Sequence, residues 1–294
     1  MIGNDSSSRK IFAVFNYIFL CASALLCIFP IIHIAAVSLS SGTAANAGLV
    51  KLIPVGFTVE TYKEVLSRPQ YYQSYVVTLK RLILGVPLNM TLTVMAAYPI
   101  SKSKKQFRSR EFYVVFLIIS ILFSGGIIPL YVTVYKTGLI DTIWALIIPG
   151  ASPVFNIILL QNAFKQLPNE IEEASIIDGA SQWTILWRMF LPLSKPALAT
   201  LVLFCIVGHW NSWFDGMIYM NRAENYPLQT YLQTVVVERD IRNLRIQDLQ
   251  NMSDISERNN KAAQIFITML PILLVYPFLQ KYFAKGIILG SVKG

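Results

Sequence analysis

The sequence predicts an all-α, polytopic membrane protein with six transmembrane helices. Three observations carry that expectation. Of 294 residues, 54% are hydrophobic and only 14% charged, and the mean hydropathy is +0.53, a balance suited to many spans and not to a water-soluble core. Apolar runs alternate with polar segments, and the length accommodates about six helices of ~20 residues. The net charge of +9 gathers in alternate segments, which points to membrane topology and away from nucleic acid.

The elements follow in order. Residues 1–10 are polar and end in Arg9-Lys10. The apolar run 11–39 exceeds a signal-peptide core and lacks a convincing cleavage site, so it reads as an uncleaved first helix. His33 near its end has no companion ligands and reads as a hydrogen-bonded or interfacial side chain. Segment 40–74 is a loop with a short amphipathic helix near 59–66, and Tyr71, Tyr72 and Tyr75 form an interfacial belt. The second helix covers about 75–100, with Gly85 and Pro87 inside it; Lys102, Lys104, Lys105, Arg108 and Arg110 follow at once.

The third helix, about 112–135, contains Gly125, Gly126 and Pro129. The fourth, about 142–164, contains Pro149-Gly150, Pro153 and Asn156. Such breakers are tolerated at membrane depth where backbone packs in protein or lines a cavity. They mark either a transport path, with Gly125, Gly126 and Asn156 on it, or packing kinks. Pro196 opens the fifth helix at a favourable first position. Asn211 then lies about 22 Å along it, in the outer half of the membrane. There the chain reads Trp210-Asn211-Ser212-Trp213-Phe214-Asp215. Indole faces stack on sugar C–H faces and amide or carboxylate tips take hydroxyls, so Asn211, Trp213 and Asp215 are candidate path residues. Tryptophans are also interface anchors; Trp210 reads as one, and Trp213 and Asn211 fit either role. Residues 221–261 form a long polar loop in which basic and acidic residues balance. The last helix covers about 262–282, and 283–294 is a basic, glycine-rich cytoplasmic tail.

Orientation follows from the loop charges. With the N-terminus inside, segments 1–10, 101–111, 165–195 and 281–294 hold 13 Lys/Arg against 6 Asp/Glu. Cytoplasmic N- and C-termini therefore fit the positive-inside rule.

The most informative stretch is 168–196, a polar, charged passage between apolar runs. Ile171, Ala174 and Ile177 share one helical face, with Asn169 as N-cap and Glu170, Glu172 and Glu173 at the positive end of the helix dipole. Gly179 breaks the pattern. Ser181 caps a second helix with Trp183, Leu186, Trp187 and Phe190 on its apolar face, ended by Pro192. Glu173-Ala174-Ser175, then Gly179 after three intervening residues, then Met189-x-Leu191-Pro192 after nine more, resemble the EAA loop of ABC-importer permeases. Ser175 stands for an alanine and Met189 for an isoleucine. The Asp178-Gly179-Ala180 form resembles the sugar-transporting branch, as does Trp210 to Trp213. The ending Gly290 to Gly294, with Val292 and Lys293, is similar to the maltose-type permease subunit whose tail reaches its ATPase dimer. The layout is also similar to permeases for alginate or pectin fragments.

The resemblance implies the type I ABC importer permease fold over one transmembrane domain, 1–294, in a bacterial cytoplasmic (inner) membrane. It implies that 168–196 is a coupling loop, with Glu173, Ala174, Ser175, Asp178, Gly179, Ala180, Met189, Leu191 and Pro192 as its contacts. It makes 221–261 extracytoplasmic and brings Val292, Lys293 and Gly294 to the ATPase. The partners implied are a second permease subunit, two ATPase subunits holding ATP and magnesium, a solute-binding protein outside, an oligosaccharide and the bilayer. No cofactor, metal or catalytic group is implied in this chain, so it is not expected to be an enzyme.

Absent motifs agree. No GxxxxGK[ST] phosphate loop, HExxH, CxxC or GxSxG occurs, so energy must come from another chain. Cys21, Cys27 and Cys205 lie in apolar runs and read as packing residues. No charged residue is expected deep in a span; Lys80, Arg81 and Asp215 read as near helix ends, snorkelling or facing a cavity. The alternatives are an ABC importer for a non-sugar solute and a self-energised secondary transporter, which calls for intramembrane charges or inverted repeats.

Overall fold

The computed structural model describes residues 7–235 and 257–291, and the described chain is helical without strands. It forms two compact units, one from Met1–Pro69 with Thr234–Leu270 and one from Gln70–Gln233 with Pro271–Gly294.

In the first unit, α1 (Ser7–Ser38) is apolar on every side. Its stretch Ile11–Ser38 contains an 18-residue window of mean hydropathy 2.5 in which no residue is buried, and only its end, at Ala36, Val37 and Ser38, packs inside; a helix with no polar face suits lipid or another membrane chain. Pro30 lies inside it without ending it. Two short helices follow, α2 (Gly42–Asn46) and α3 (Glu60–Ser67). Ser41 caps α2 by accepting the Ala44 N–H. Ala36, Val37, Ala44, Ala45, Val50 and Ala262 make a small-residue core. His33 is hydrogen-bonded as expected, its Nδ1 2.6 Å from the Lys51 carbonyl oxygen.

The second unit is built on α4 (Pro69–Ser101), which takes in the tyrosine belt and keeps Pro87 and Pro99 in its interior. The third expected helix is two, α5 (Arg110–Leu122) and α6 (Ile127–Lys136), meeting at 110°. The break has a backbone cause: Gly126 sits at φ +84, where a side chain is disfavoured. The fourth is also divided. Residues Ile143–Gly150 form 3-10 turns around Pro149, and α7 (Val154–Lys165) leaves them at 49° after Pro153.

Next come α8 (Asn169–Ile177) and α9 (Gln182–Leu193), the latter containing a π turn at Leu186–Phe190. The next elements are α10 (Lys195–Asn211), α11 (Phe214–Tyr219) and α12 (Leu228–Gln233). The last helix, α13, runs Glu257–Ser291 with Pro271 and Pro277 inside. Among the described residues two helices are long and apolar enough to cross a membrane unbroken, α1 and α4; up to five crossings result if each bent pair counts as one.

The second unit's main core joins α4, α7, α9 and α10 through Ala97, Ile157, Leu160, Ile185 and Leu201. At its centre Tyr98, Phe164 and Phe190 meet edge to face, with Tyr98 and Phe190 centroids 5.1 Å apart. Such pairs add about 0.5–1.5 kcal/mol each beyond their buried area.

Candidate functional site

The helix α8 begins at Asn169 with Pro168 before it and no side-chain cap, so Asn169 is not the N-cap. Its inward face also differs from the apolar stripe. Glu172 and Ser175 are buried, whereas Ala174 is exposed and Ile177 is 86% exposed. The helix turns its Glu172 carboxylate inward because a cation waits there, keeps Ile171 half-buried and leaves Ile176 and Ile177 outside. Glu173 and Asp178 are exposed as well.

The turn after α8 is a left-handed cap. Gly179 has φ +78, its N–H donates to the Ile176 carbonyl at 3.0 Å, and the Ala180 N–H donates to Ser175 at 2.9 Å. Carbonyls at the helix end are satisfied this way, and glycine adopts the conformation without strain. Ser181 then caps α9, its hydroxyl accepting from the Thr184 N–H at 3.2 Å.

Pro192 does not end α9. It has no N–H to give to Arg188, and the helix widens into the π turn just before it, continuing to Leu193. Ile185, Leu186 and Phe190 point into the core, while Trp183 and Trp187 are 58% and 61% exposed. Met189 and Pro192 are exposed too, and Leu191 is half-buried. The loop 168–196 therefore displays Ile176, Ile177, Trp183 and Trp187 outward, an apolar group on a charged segment.

Beneath it lies a cluster that the sequence reading missed. The Lys102 ammonium is 2.9 Å from the Glu172 carboxylate, both side chains about nine-tenths buried. It lies 3.9 Å from the Tyr98 ring centre and 4.1 Å from that of Phe190. Gln106 donates to Glu172 at 3.2 Å, and the Tyr98 hydroxyl donates to Gln182 at 2.7 Å. Burial presses the Lys102 ammonium below its ordinary value, and the Glu172 carboxylate opposes this. A groove of about 540 Å³ opens beside the pair, bounded by Met95, Phe107, Ile176 and Trp183 among others. In the sequence Lys102 was one of five cations in a basic turn; only its nearness to the apolar Tyr98-Pro99-Ile100 set it apart.

A second cluster surrounds Asp215. Arg81, 4% exposed, is ion-paired through its guanidinium to the Asp215 carboxylate. Its Nε lies 3.1 Å from His209 Nδ1. Asp215 also accepts from the Ser212 hydroxyl at 2.8 Å and the Gly216 N–H at 2.9 Å. Arg81 thus lies inside the protein on α4 and does not snorkel, because Asp215 and His209 compensate its burial. Gly85 makes room: a Cβ there would stand 2.7 Å from His209 Nε2. Trp210 is 4% exposed and packs edge to face on Tyr75, with centroids 6.0 Å apart, so it is a core residue and not an interface anchor. Asn211 and Trp213 are exposed beside it.

The other candidates lie apart from Asp215. Asn156 is buried and reaches Cys205 Sγ at 3.4 Å. Gly125 and Gly126 are exposed at the α5–α6 break. Val292, Lys293 and Gly294 lie outside the described residues, as does most of 221–261. Among the described residues no group of three or more His, Cys, Asp or Glu could hold a metal.

A third polar centre joins two turns. Asp141, at φ +62, accepts from the Asn221 N–H at 3.1 Å, the Asn225 side chain at 2.9 Å and Arg222 Nε at 2.5 Å. Burial alone would raise its carboxyl, but these donors outweigh it and bring it to about 2.

The family described as "Binding-protein-dependent transport system inner membrane component" matches residues 89–214, from mid-α4 to the start of α11. "Protein LplC" of Bacillus subtilis (strain 168) is 40% identical over 291 residues, covering 99% of this chain and 98% of its own. The chain belongs to this family. It is a permease subunit of an ABC importer, an inner membrane component and not an enzyme, which disposes of the self-energised transporter. The "Polygalacturonan/rhamnogalacturonan transport system permease protein YtcP" of the same organism is 35% identical, covering 97% of this permease and 99% of its own chain. A solved bacterial ABC transporter involved in import of the acidic polysaccharide alginate contains a chain 34% identical to it, with TM-score 0.85, covering 96% and 99%.

Proposed function

We propose that this permease carries an acidic oligosaccharide. In that reading it crosses the membrane six times with both termini cytoplasmic. A second permease subunit completes the passage, and two ATPase subunits hold ATP and magnesium. A loaded binding protein docks outside, the ATPase subunits close inside, and the loop 168–196 moves with them to open the passage outward. Hydrolysis resets it.

The observation that carries the coupling role is the outward apolar group on a charged loop. Ile177, at 86% exposed, stands with Ile176, Trp183 and Trp187 on one outward surface, and a grouped apolar surface on a charged segment suits docking to a partner. Glu173, Ala174, Asp178 and Gly179 sit on the same exposed tip, so they are the proposed contacts, with Met189, Leu191 and Pro192 bracing the second helix. The polygalacturonan relative and the alginate importer support the acidic cargo. Asp215 fits it as well: its charge is matched by Arg81, which removes the repulsion a free carboxylate would exert on a uronate. Asn211 and Trp213 beside it would then meet the sugar, and the tail 292–294 would reach the ATPase.

The test is reconstitution of the whole transporter in vesicles. Uptake of oligogalacturonate or alginate fragments should require ATP and the binding protein, and neutral maltodextrins should compete poorly. Uptake of amino acids or peptides in preference to any sugar would overturn the cargo assignment.

A further inference from the structure

The buried pair Lys102–Glu172 serves a purpose that neither the loop's outward contacts nor the cargo requires. Lys102 follows α4, and Glu172 is on α8. The ammonium also meets Phe190 on α9 and Tyr98 on α4. One cation therefore touches the end of a spanning helix and both halves of the loop 168–196. Gln106 and Gln182 close the ring from either side.

On the side of α8 the rest of the junction is weak, whereas α9 is held to α4 through Ile185, Leu186 and Phe190 in the core. The space of about 540 Å³ between α4 and the two loop helices is a groove open on one side, so side chains along it lack packing partners that a filled interior would supply. Removing one partner from a buried pair leaves an uncompensated charge, whereas the groove wall could deform at little cost. Resistance to movement of α8 against α4 is concentrated in one ion pair and one aromatic cage.

We propose that Lys102 and Glu172 are positioning residues that fasten α8, the first half of the loop 168–196, to α4, so that force delivered at Ile177 and Gly179 moves the span and does not merely bend the loop. This rests on the coupling role proposed above. The pair touches neither cargo nor nucleotide in that reading; it acts through α4. The alternative is a pair that only stabilises the fold, and the two differ in what their loss does to an assembled transporter.

The experiment uses the complete transporter in vesicles, with Lys102→Met, Glu172→Gln, the double Lys102→Met/Glu172→Met, and Lys102→Arg. The readout is ATP hydrolysed per oligosaccharide imported, in complexes shown to retain both ATPase subunits. Wild type must first show uptake dependent on ATP and the binding protein; its failure there would defeat the permease reading and not this one. Each charge-removing variant should raise the ATP cost per sugar at least about fivefold, the low end of typical coupling between sites. Lys102→Arg should restore most of the coupling, because a guanidinium keeps the ion pair and stacks on both rings. A wild-type ratio in assembled Lys102→Met or Glu172→Gln complexes would overturn the proposal. Should the single variants fail to assemble, the double variant leaves no unpaired charge, and a wild-type ratio in it overturns the proposal equally.

Discussion

Two ion pairs are buried in the same unit, Lys102–Glu172 below the loop 168–196 and Arg81–Asp215 beside Trp210 to Trp213, and they are built differently. Lys102 meets a carboxylate and two ring faces, with a groove alongside and an exposed apolar surface on the same two loop helices. Arg81 meets a carboxylate and an imidazole. Asp215 is satisfied again by Ser212 and Gly216, and the packing is tight enough that Gly85 and Gly216 could not carry a Cβ without displacement. The first pair has space to move in and a surface for a partner to push. The second fixes a turn and shields a charge. A buried ion pair by itself therefore says little about role; the packing around it decides.

That contrast breaks most visibly at Arg81. Arg81→Met leaves Asp215 without its cation in a tight site, and loss of one partner of a buried pair costs about 3–5 kcal/mol. The low end applies, because Asp215 keeps about a fifth of its side chain exposed. The variant should lose several degrees of thermal stability in detergent, and Asp215→Asn should lower uptake and not raise it, since Arg81 then stands unpaired. A gain in uptake for Asp215→Asn would show that its charge faces the cargo unshielded.

At the loop the expected effect on stability is smaller and that on coupling larger. No atom lies within 4 Å of a Cβ placed on Gly179, so only the backbone objects, by about 1–2 kcal/mol for a residue at positive φ. Gly179→Leu should leave the subunit in the membrane yet abolish ATP-driven uptake, whereas Gly179→Asn, which tolerates that conformation, should keep most of it. Equal uptake from both variants would remove the turn from the coupling account.

The third polar centre sharpens the comparison by its acid response. Asp141 falls from an ordinary 3.8 to about 2. A depressed carboxyl stabilises fully above its unfolded value and loses that contribution as pH falls through the folded one. The tie between 141 and 221–225 should thus persist to about pH 4 and fail between about 4 and 2. Asp141→Asn should remove this acid step and weaken the tie by about 1–3 kcal/mol. Hydrogen exchange of the Asn221 and Arg222 amides would report it, and identical exchange profiles in the two proteins would contradict it.

Much of this was legible in the sequence. Apolar runs located α1 and α4, Gly179 and Ser181 located the turn and the second cap, and breakers located the bends. What periodicity could not supply was which face of α8 turns inward. Ile171, Ala174 and Ile177 make an apolar stripe, but Glu172 is drawn to Lys102, 70 residues away in sequence, and Ala174 and Ile177 are left facing out while Ile171 is half-buried. The same applies to Arg81, whose burial depends on an aspartate 134 residues later. Long-range charge pairing overrides local pattern, and no single stretch of sequence contains it. The bends of 110° and 49° were visible only as breakers, since a glycine announces freedom but not direction.

The most direct measurement is a photo-crosslinking residue at Ile177 in the assembled transporter. A crosslink to an ATPase subunit is expected, with loss of uptake once it forms, because the exposed tip of α8 is the surface proposed to receive ATP-driven motion. Wild-type uptake with no crosslink from Ile177 to any ATPase subunit would contradict it.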